Sequence, residues 1–245
     1  MLDGTTGLTI FVGYDDREIS SWHVAVESIL SNASLPVSFV PLHLDLLKSE
    51  FNREWDNKQS NSFTYSRFLV PHLCGFKGFA LFMDCDMLIT RDVSELLELA
   101  KLDSSKAVHL VQHDYTPKTS KKYLGAAQYA YPRKNWSSFV LWNCAHPKCQ
   151  IMTRDFVEKA SAAELHRFMW LEDSEIGQLP IEWNWLVDEC EPLDGDVLPN
   201  NIHWTNGGPW FQEYQNAPYS EVWENMLERV ISCGGNPVYS LKCDK

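Results

Sequence analysis

Two aspartates, two positions apart, are the residues of this sequence with the clearest chemical potential. Asp84 and Asp86 directly follow the apolar run 79–83, which is typical of a fully buried parallel strand. In an extended chain, residues i and i+2 point to the same face, so both carboxylates can converge on one cation. Divalent ions such as Mg²⁺ or Mn²⁺ prefer oxygen ligands and bind phosphates beside carboxylates. The pair therefore predicts a metal–diphosphate site. The alternative is that one Asp caps a turn and the other is only solvated.

A histidine late in the chain is the second feature with metal-binding chemistry. His203 lies shortly before Gly207-Gly208-Pro209-Trp210, and glycines allow a phosphate to approach the backbone closely. An imidazole on such a loop can complete a metal site that two carboxylates begin. We interpret three further histidines as ordinary surface or core residues: His109, His113 and His166.

Two more polar positions lie next to predicted strands. Tyr14 and Asp15 follow the first strand, where an acidic side chain can accept hydrogen bonds from a base or a ribose. We predict Asp16 as the N-cap of the next helix. Arg67 lies on the helix before the aspartate pair, where it can contact phosphate in a bidentate manner or form a salt bridge with an acidic neighbour.

A cluster of carboxylates at Glu172, Asp173 and Glu175 could supply a general base or stabilise a cationic, sugar-like transition state. The alternative is a solvated acidic helix end. The basic pair Arg133-Lys134 either meets an anionic ligand or lies on the surface.

Composition narrows the class of protein. The formal net charge of −12 over 245 residues argues against nucleic acid or an anionic membrane as the main partner. Most of the aromatic residues should lie in the core, but the surplus of Trp, ten in all, also suits sugar recognition, because aromatic faces pack on pyranose rings. No apolar run approaches the roughly 20 residues of a transmembrane helix, and no secretion signal is recognisable. Seven cysteines without CxxC spacing indicate reduced thiols, so we expect a cytoplasmic protein.

The order of predicted elements indicates an α/β fold. A strand at 8–12, a helix from residue 19 to about 32 and a strand at 37–40 form a βαβ unit, which implies a parallel sheet. Further elements are a helix at 64–73, a capped helix from Asp92 to about 101, strands at 108–112 and 137–143, and largely helical structure at 152–169.

The last third of the chain has weaker signals. Residues 182–219 are rich in Trp, Gly, Pro and Asn, and we predict a loop-rich lid over the carboxyl edge of the sheet. A helix at 220–231 follows, capped by Ser220 and closed by Gly234-Gly235, with a tail to residue 245. We therefore predict a single Rossmann-like α/β domain over residues 1–245, with a mixed, mainly parallel sheet flanked by helices and a loop-rich C-terminal wall.

Taken together, the chain resembles nucleotide-sugar glycosyltransferases of the A-type (GT-A) fold, most closely the glycogenin and bacterial galactosyltransferase group, glycosyltransferase family 8. The resemblance covers most of residues 8–210. It rests on the acidic turn at residues 15–16, the Tyr-x-Arg motif at 65–67 of a predicted helix, the Asp-x-Asp pair, the strand at 136–143 and the His-Gly-Pro-Trp segment at 203–210.

The resemblance implies an enzyme that transfers a hexosyl-type sugar from a nucleoside-diphosphate sugar, a UDP-sugar by preference, to a glycan or another hydroxyl acceptor. It implies Mn²⁺ or Mg²⁺ held by Asp84, Asp86 and His203. It places Asp173 first, then Glu172 and Glu175, beside the reacting sugar. It implies donor contacts from the following residues: Tyr14, Asp15, Arg67, Asp84, Ser137, Gly207, Gly208 and Trp210.

The chain departs from the family pattern at two places. The segment at 203–210 is one residue shorter and lacks the Lys that normally holds a phosphate, and Asp173-Ser-Glu175 replaces an Asp-Gln-Asp stretch. The length of the fit nevertheless suggests a little-characterised bacterial branch of the family, marked by residues 131–136 and by Trp183-Asn-Trp185.

Two other functions stay open from the sequence. A non-catalytic carbohydrate- or nucleotide-binding protein on the same scaffold is compatible with the missing Lys, and it would bind sugar without Mn²⁺ and turn nothing over. An Asp-x-Asp phosphohydrolase is less favoured, because that motif requires Thr four residues after the first Asp, where this chain has Leu88.

Overall fold

The computed structural model describes residues 7–49, 51–56, 59–114, 132–191, 193, 195 and 197–232. These residues contain nine strands and six α-helices. The strands are β1 (Leu8–Gly13), β2 (Val37–Leu42), β3 (Phe79–Met83), β4 (Met87–Ile89), β5 (Val108–Leu110), β6 (Phe139–Asn143), β7 (Ile176–Gln178), β8 (Trp185–Leu186) and β9 (Asn201–His203). The helices are α1 (Ile19–Asn32), α2 (Val70–Leu73), α3 (Ser94–Leu102), α4 (Arg154–Lys159), α5 (Ala162–His166) and α6 (Ser220–Ile231).

A six-stranded sheet in the order β2-β1-β3-β6-β5-β7 forms the centre of the fold. β6 runs antiparallel to both of its neighbours, and the other pairs are parallel. The predicted βαβ opening is confirmed, because α1 connects β1 to the parallel strand β2. The predicted fold class, a mixed and mainly parallel sheet flanked by helices, is therefore correct.

A second sheet of three short strands, in the order β4-β9-β8, continues directly from β3. β9 is antiparallel to β4, and this pairing sets Met87 opposite His203. The segment at 182–219, predicted as a loop-rich lid, thus contributes two strands and buries the side chains of Trp183 and Trp204. It forms a packed wall, because short strands can satisfy the backbone groups that a buried loop would leave unpaired.

Most of the tryptophans serve packing, as expected, and a role of the others in sugar recognition stays a prediction. Trp142 lies in the main core, parallel to Trp170 with ring centroids 6.1 Å apart. A second core cluster contains Ile202, Trp204 and Trp223, together with Val24 of α1. This cluster fixes α6 and α1 against the second sheet and so fixes the position of β9.

Several predicted boundaries differ from the structure. The predicted helix at 64–73 is a 3₁₀ turn, Ser66–Leu69, followed by α2, and the predicted strand at 137–143 begins only at Phe139. The predicted helical region at 152–169 contains α4 and α5, which are separated where Ser161 begins a capping box with Glu164. Residue 131, Gly234-Gly235 and the tail at 233–245 lie outside the described residues. Among the helices that the structure describes, none has the length and apolar character needed to cross a membrane.

Candidate functional site

The structure brings together the three residues predicted as metal ligands. Asp84 and Asp86 lie in the short link between β3 and β4, and His203 ends β9. One ligand atom from each residue lies within 4.8 Å of the other two, and Nε2 of His203 is 3.3 Å from Oδ1 of Asp86. The backbone of the link is held at both ends, since the N–H of Asp84 donates to the carbonyl of Ser138 and the N–H of Trp204 donates to the carbonyl of Asp86.

Asn184 fixes the tautomer of His203. Its amide nitrogen donates to Ser138 Oγ at 2.9 Å and faces the carbonyl of Asn135, which can only accept. Its amide oxygen therefore faces Nδ1 of His203, at 2.8 Å, and Nδ1 must carry the proton. Nε2 then faces Asp86 with its other side of the ring held, the orientation found in histidines that bind metals. From the sequence we noted Asn184 only as part of Trp183-Asn-Trp185, because nothing local signals this role.

The donor set fits a hard divalent cation. Two carboxylates and one imidazole nitrogen converge. All three residues are buried: Asp84 is 7% exposed, Asp86 is 9% exposed and His203 is 1% exposed. Oxygen-rich sites with one imidazole suit Mn²⁺ or Mg²⁺ better than soft metals. Within the described residues, this is the one group of its kind.

Arg67 is buried beside the carboxylates. Its Nη1 lies 2.8 Å from Oδ1 of Asp84 and donates to the carbonyl of Ser137 at 3.0 Å. The guanidinium also lies over the rings of Phe63 and Phe82, 5.3 and 5.0 Å from their centroids. Of the two roles that we considered for Arg67, the salt bridge is the one present in the structure, and the phosphate contact stays a prediction.

A cavity of about 370 Å³ opens over the three predicted ligands. Arg67 and Ser137, from the predicted donor-binding set, also line it. So does His166, which we interpreted as an ordinary residue, and its Nδ1 lies 2.8 Å from the Ser137 hydroxyl. Burial, together with the nearby positive charges of Arg67 and Arg53, lowers the pKa of His166 to about 3. His166 is therefore neutral at physiological pH and serves as a polar wall of the cavity.

The acidic turn after β1 is occupied by internal contacts. Asp15, not Asp16, is the N-cap of the 3₁₀ turn Asp16–Glu18, which corrects our assignment. Its carboxylate accepts hydrogen bonds from the Arg17 side chain and from the backbone N–H of Ser62. Tyr14 packs edge-on against its aromatic neighbours. Neither Tyr14 nor Asp15 is among the residues that line the cavity, and their predicted donor contacts stay predictions.

The contacts of Asp15 predict a pH-dependent contribution to stability. Burial raises the pKa of Asp15, but the hydrogen bonds from Arg17 and Ser62 outweigh it and lower the pKa to about 2. A carboxylate with a depressed folded-state pKa stabilises the protein above its unfolded pKa, and this stabilisation is lost as the pH falls through the folded-state value. We expect Asp15→Asn to lower the free energy of unfolding by about 2 kcal/mol at pH 7.

Urea unfolding at a series of pH values measures this effect. The difference between wild type and Asp15→Asn should shrink from about pH 4 towards pH 2. Asp16→Asn is the matched control, since its side chain is 79% exposed. A difference that stays constant over this pH range would contradict the assignment.

The glycine-rich segment after His203 folds back on the protein. Gly207 has φ +127°, and a Cβ at Gly208 would lie 2.1 Å from the ring of Trp210. Trp210 packs in the second core cluster, and its Nε1 donates to Glu18 at 3.2 Å. The glycines thus permit the close approach of Trp210, and none of these three residues is among those that line the cavity. Their predicted phosphate and donor contacts stay predictions.

The predicted catalytic carboxylates lie at the surface, in and before the 3₁₀ turn Asp173–Glu175. The Asp173 side chain is 89% exposed and pairs with Arg133, and Glu175 accepts from the backbone N–H of Glu172 and pairs with Lys148. None of Glu172, Asp173 and Glu175 is among the residues that line the cavity. Their position agrees with the alternative interpretation, a solvated acidic segment. Their catalytic role stays a prediction.

Comparisons with known proteins place the chain. It is 44% identical over 223 residues to Protein CDI of Arabidopsis thaliana, a match that covers 89% of this chain and 85% of that protein. No family model matches the chain.

Solved structures of glycosyltransferases share the fold. The glycosyltransferase GlyE of Streptococcus pneumoniae TIGR4 matches with a TM-score of 0.59 at 16% identity over 91% of this chain, and the chain spans 60% of the length of GlyE. The galactosyltransferase LgtC matches with a TM-score of 0.56 at 11% identity, over 91% of this chain and 96% of that one. Mouse xyloside xylosyltransferase 1 matches with a TM-score of 0.51 at 11% identity, over 83% of this chain and 100% of that one.

These likenesses confirm the glycosyltransferase type of fold that the sequence predicted. The narrower assignment to glycosyltransferase family 8 and to a bacterial branch stays a prediction. Protein CDI, which matches the chain over 85% of its own length, comes from a plant. The chain belongs to the family of the Arabidopsis Protein CDI and has the fold of the glycosyltransferases.

Proposed function

We propose that the protein is a metal-dependent glycosyltransferase that moves a hexosyl-type sugar from a nucleoside-diphosphate sugar, preferably a UDP-sugar, to a hydroxyl group of a glycan or similar acceptor. One observation carries this proposal. Asp84, Asp86 and His203 converge beneath a cavity that opens beyond the carboxyl end of β3, where α/β folds bind their ligands. The fold is shared with LgtC, whose structure was solved with donor and acceptor sugar analogs.

The three converging residues would hold Mn²⁺ or Mg²⁺ through their carboxylate oxygens and Nε2 of His203. The bound cation would act as a Lewis acid that stabilises the negative charge on the departing diphosphate. A chain with a net charge of −12 repels a diphosphate, so positive charge at this place is needed for binding.

Other side chains of the site have supporting roles in this proposal. Asn184 keeps the proton of His203 on Nδ1, which leaves Nε2 available. Arg67 adds a fixed positive charge beside Asp84. The low exposure of the three ligand residues limits the access of water, which would otherwise consume the donor by hydrolysis.

A panel of nucleotide sugars tests the proposal. We expect the wild-type protein to release nucleoside diphosphate slowly from at least one UDP-sugar when Mn²⁺ is present, because water can replace the acceptor. The release should stop when EDTA removes the metal. Sugar binding that ignores Mn²⁺, with no turnover of any donor, would instead identify a non-catalytic binding protein.

The phosphohydrolase alternative finds no support in the geometry. That reaction uses the first Asp of the motif as a nucleophile. Here Oδ1 of Asp84 lies against the guanidinium of Arg67, and Leu88 in β4 is buried where the motif requires Thr.

A further inference from the structure

Transfer of a sugar to a hydroxyl group needs an acceptor for the hydroxyl proton, and the described lining of the cavity contains one carboxylate besides Asp84 and Asp86. This carboxylate is Asp56. It lies on a polar segment before the 3₁₀ turn of Arg67, and this segment has no recognisable motif in the sequence. The structure alone places it in the same cavity as the predicted metal ligands.

The other basic groups of the cavity are less suited to take a proton. The two aspartates of the link between β3 and β4 are needed for the cation in the proposed function. His166 has a pKa of about 3, and its Nδ1 already contacts the hydroxyl of Ser137. The predicted catalytic Asp173 projects into solvent and pairs with Arg133 outside the lining. Asp56 is therefore the carboxylate best placed to meet an acceptor hydroxyl.

Neighbouring residues hold Asp56 in position. The hydroxyl of Tyr65, a residue that is only 3% exposed, donates to Oδ2 of Asp56 at 3.4 Å. The guanidinium of Arg53 lies 3.6 Å from the centroid of the Tyr65 ring, and its Nη1 donates to the carbonyls of Val157 and Ala160. The backbone N–H of Gln59 donates to the carbonyl of Asp56 at 2.8 Å. A carboxylate with these supports is oriented before a substrate arrives.

We propose that Asp56 is the general base of the transfer reaction and that Tyr65 positions it; this inference rests on the proposed function. The acceptor oxygen forms a bond to the anomeric carbon of the donor sugar. The bond between that carbon and the diphosphate oxygen breaks, and its electron pair leaves with the diphosphate. The proton of the acceptor hydroxyl moves to the carboxylate of Asp56, so charges and atoms balance.

The decisive variant is Asp56→Asn, which keeps the size of the side chain and removes the base. The substrate is the UDP-sugar that wild type hydrolyses fastest in the Mn²⁺ assay, with water as the acceptor. We expect hydrolysis to fall by about 100-fold, the usual contribution of a general base, while calorimetry shows unchanged affinity for UDP with Mn²⁺. Tyr65→Phe, which keeps the ring beneath Arg53, should cause a smaller loss of about 10-fold.

Sodium azide separates a catalytic role from a structural one. Azide is an anionic nucleophile with no proton to lose, so it should restore donor consumption by Asp56→Asn and yield a glycosyl azide. Asp155→Asn is the matched control, because Asp155 lies on the surface of α4 with its side chain 74% exposed, and it should behave as wild type.

The possible failures are distinguishable. Undiminished hydrolysis by Asp56→Asn, loss of UDP affinity together with hydrolysis, or absence of azide rescue would each overturn the role of Asp56. If the wild-type protein itself shows neither metal-dependent UDP binding nor hydrolysis of any donor, the proposed function fails, and no variant is needed to see it.

Discussion

Replacing Asp86 with alanine should abolish Mn²⁺-dependent binding of UDP. Asp86 supplies one of the two carboxylates of the proposed metal site, and its Oδ1 lies 3.3 Å from Nε2 of His203. Loss of a residue that merely supports a ligand typically costs 10- to 100-fold in metal affinity, so loss of a ligand should cost at least about 100-fold. The measurement is isothermal titration calorimetry of UDP with and without Mn²⁺, for wild type and for Asp86→Ala.

Asp155→Ala is the matched control for this experiment, since it removes an exposed carboxylate from the surface of α4. Its UDP affinity should keep the wild-type dependence on Mn²⁺. Circular dichroism and thermal melting would show that Asp86→Ala is folded under the conditions of the titration. Equal UDP binding by wild type and Asp86→Ala, with and without Mn²⁺, would refute the metal–diphosphate assignment.

Replacing Arg67 with methionine should strongly destabilise the metal-free protein. Arg67 is 5% exposed and Asp84 is 7% exposed, and their side chains lie 2.8 Å apart. Removing one partner of a buried ion pair leaves a buried charge without its counter-charge, which typically costs about 3–5 kcal/mol. Urea unfolding at neutral pH, without metal, measures the loss.

Arg91→Met provides the surface comparison. Arg91 pairs with Glu95, and their side chains are 58% and 43% exposed, so the expected loss is about 0–1 kcal/mol. Mn²⁺ should recover part of the stability of Arg67→Met, because a cation can replace the lost positive charge beside Asp84. Similar losses of stability for the two variants, with no effect of Mn²⁺, would show that the buried pair stabilises the protein no more than the surface pair does.

Structural features that depend on residues close together in the sequence were predictable from the sequence alone. The apolar run of β3, the amphipathic pattern of α1 and the hydrophobic start of β1 each specify a local conformation and a buried face, and all three elements form as predicted. Their order then limits the topology, because a βαβ unit has a preferred right-handed crossover. The boundaries were less predictable, as in the 3₁₀ turn Trp136–Ser138, where Asn135 adopts φ +63° before β6 begins.

In the candidate site, too, local features were predictable and contacts between distant residues were not. The sequence by itself determined that Asp84 and Asp86 follow a buried strand, because the apolar run that specifies this strand is a local property. Only the tertiary structure decided that β9 pairs with β4 and sets His203 beside Asp86, and that Asn184 holds its Nδ1 proton. The tertiary structure also placed Asp56 in the cavity and left Asp173 at the surface. Hydrophobic patterning records which side chains are buried, whereas contacts between distant residues arise from strand register and core packing, which no local pattern encodes.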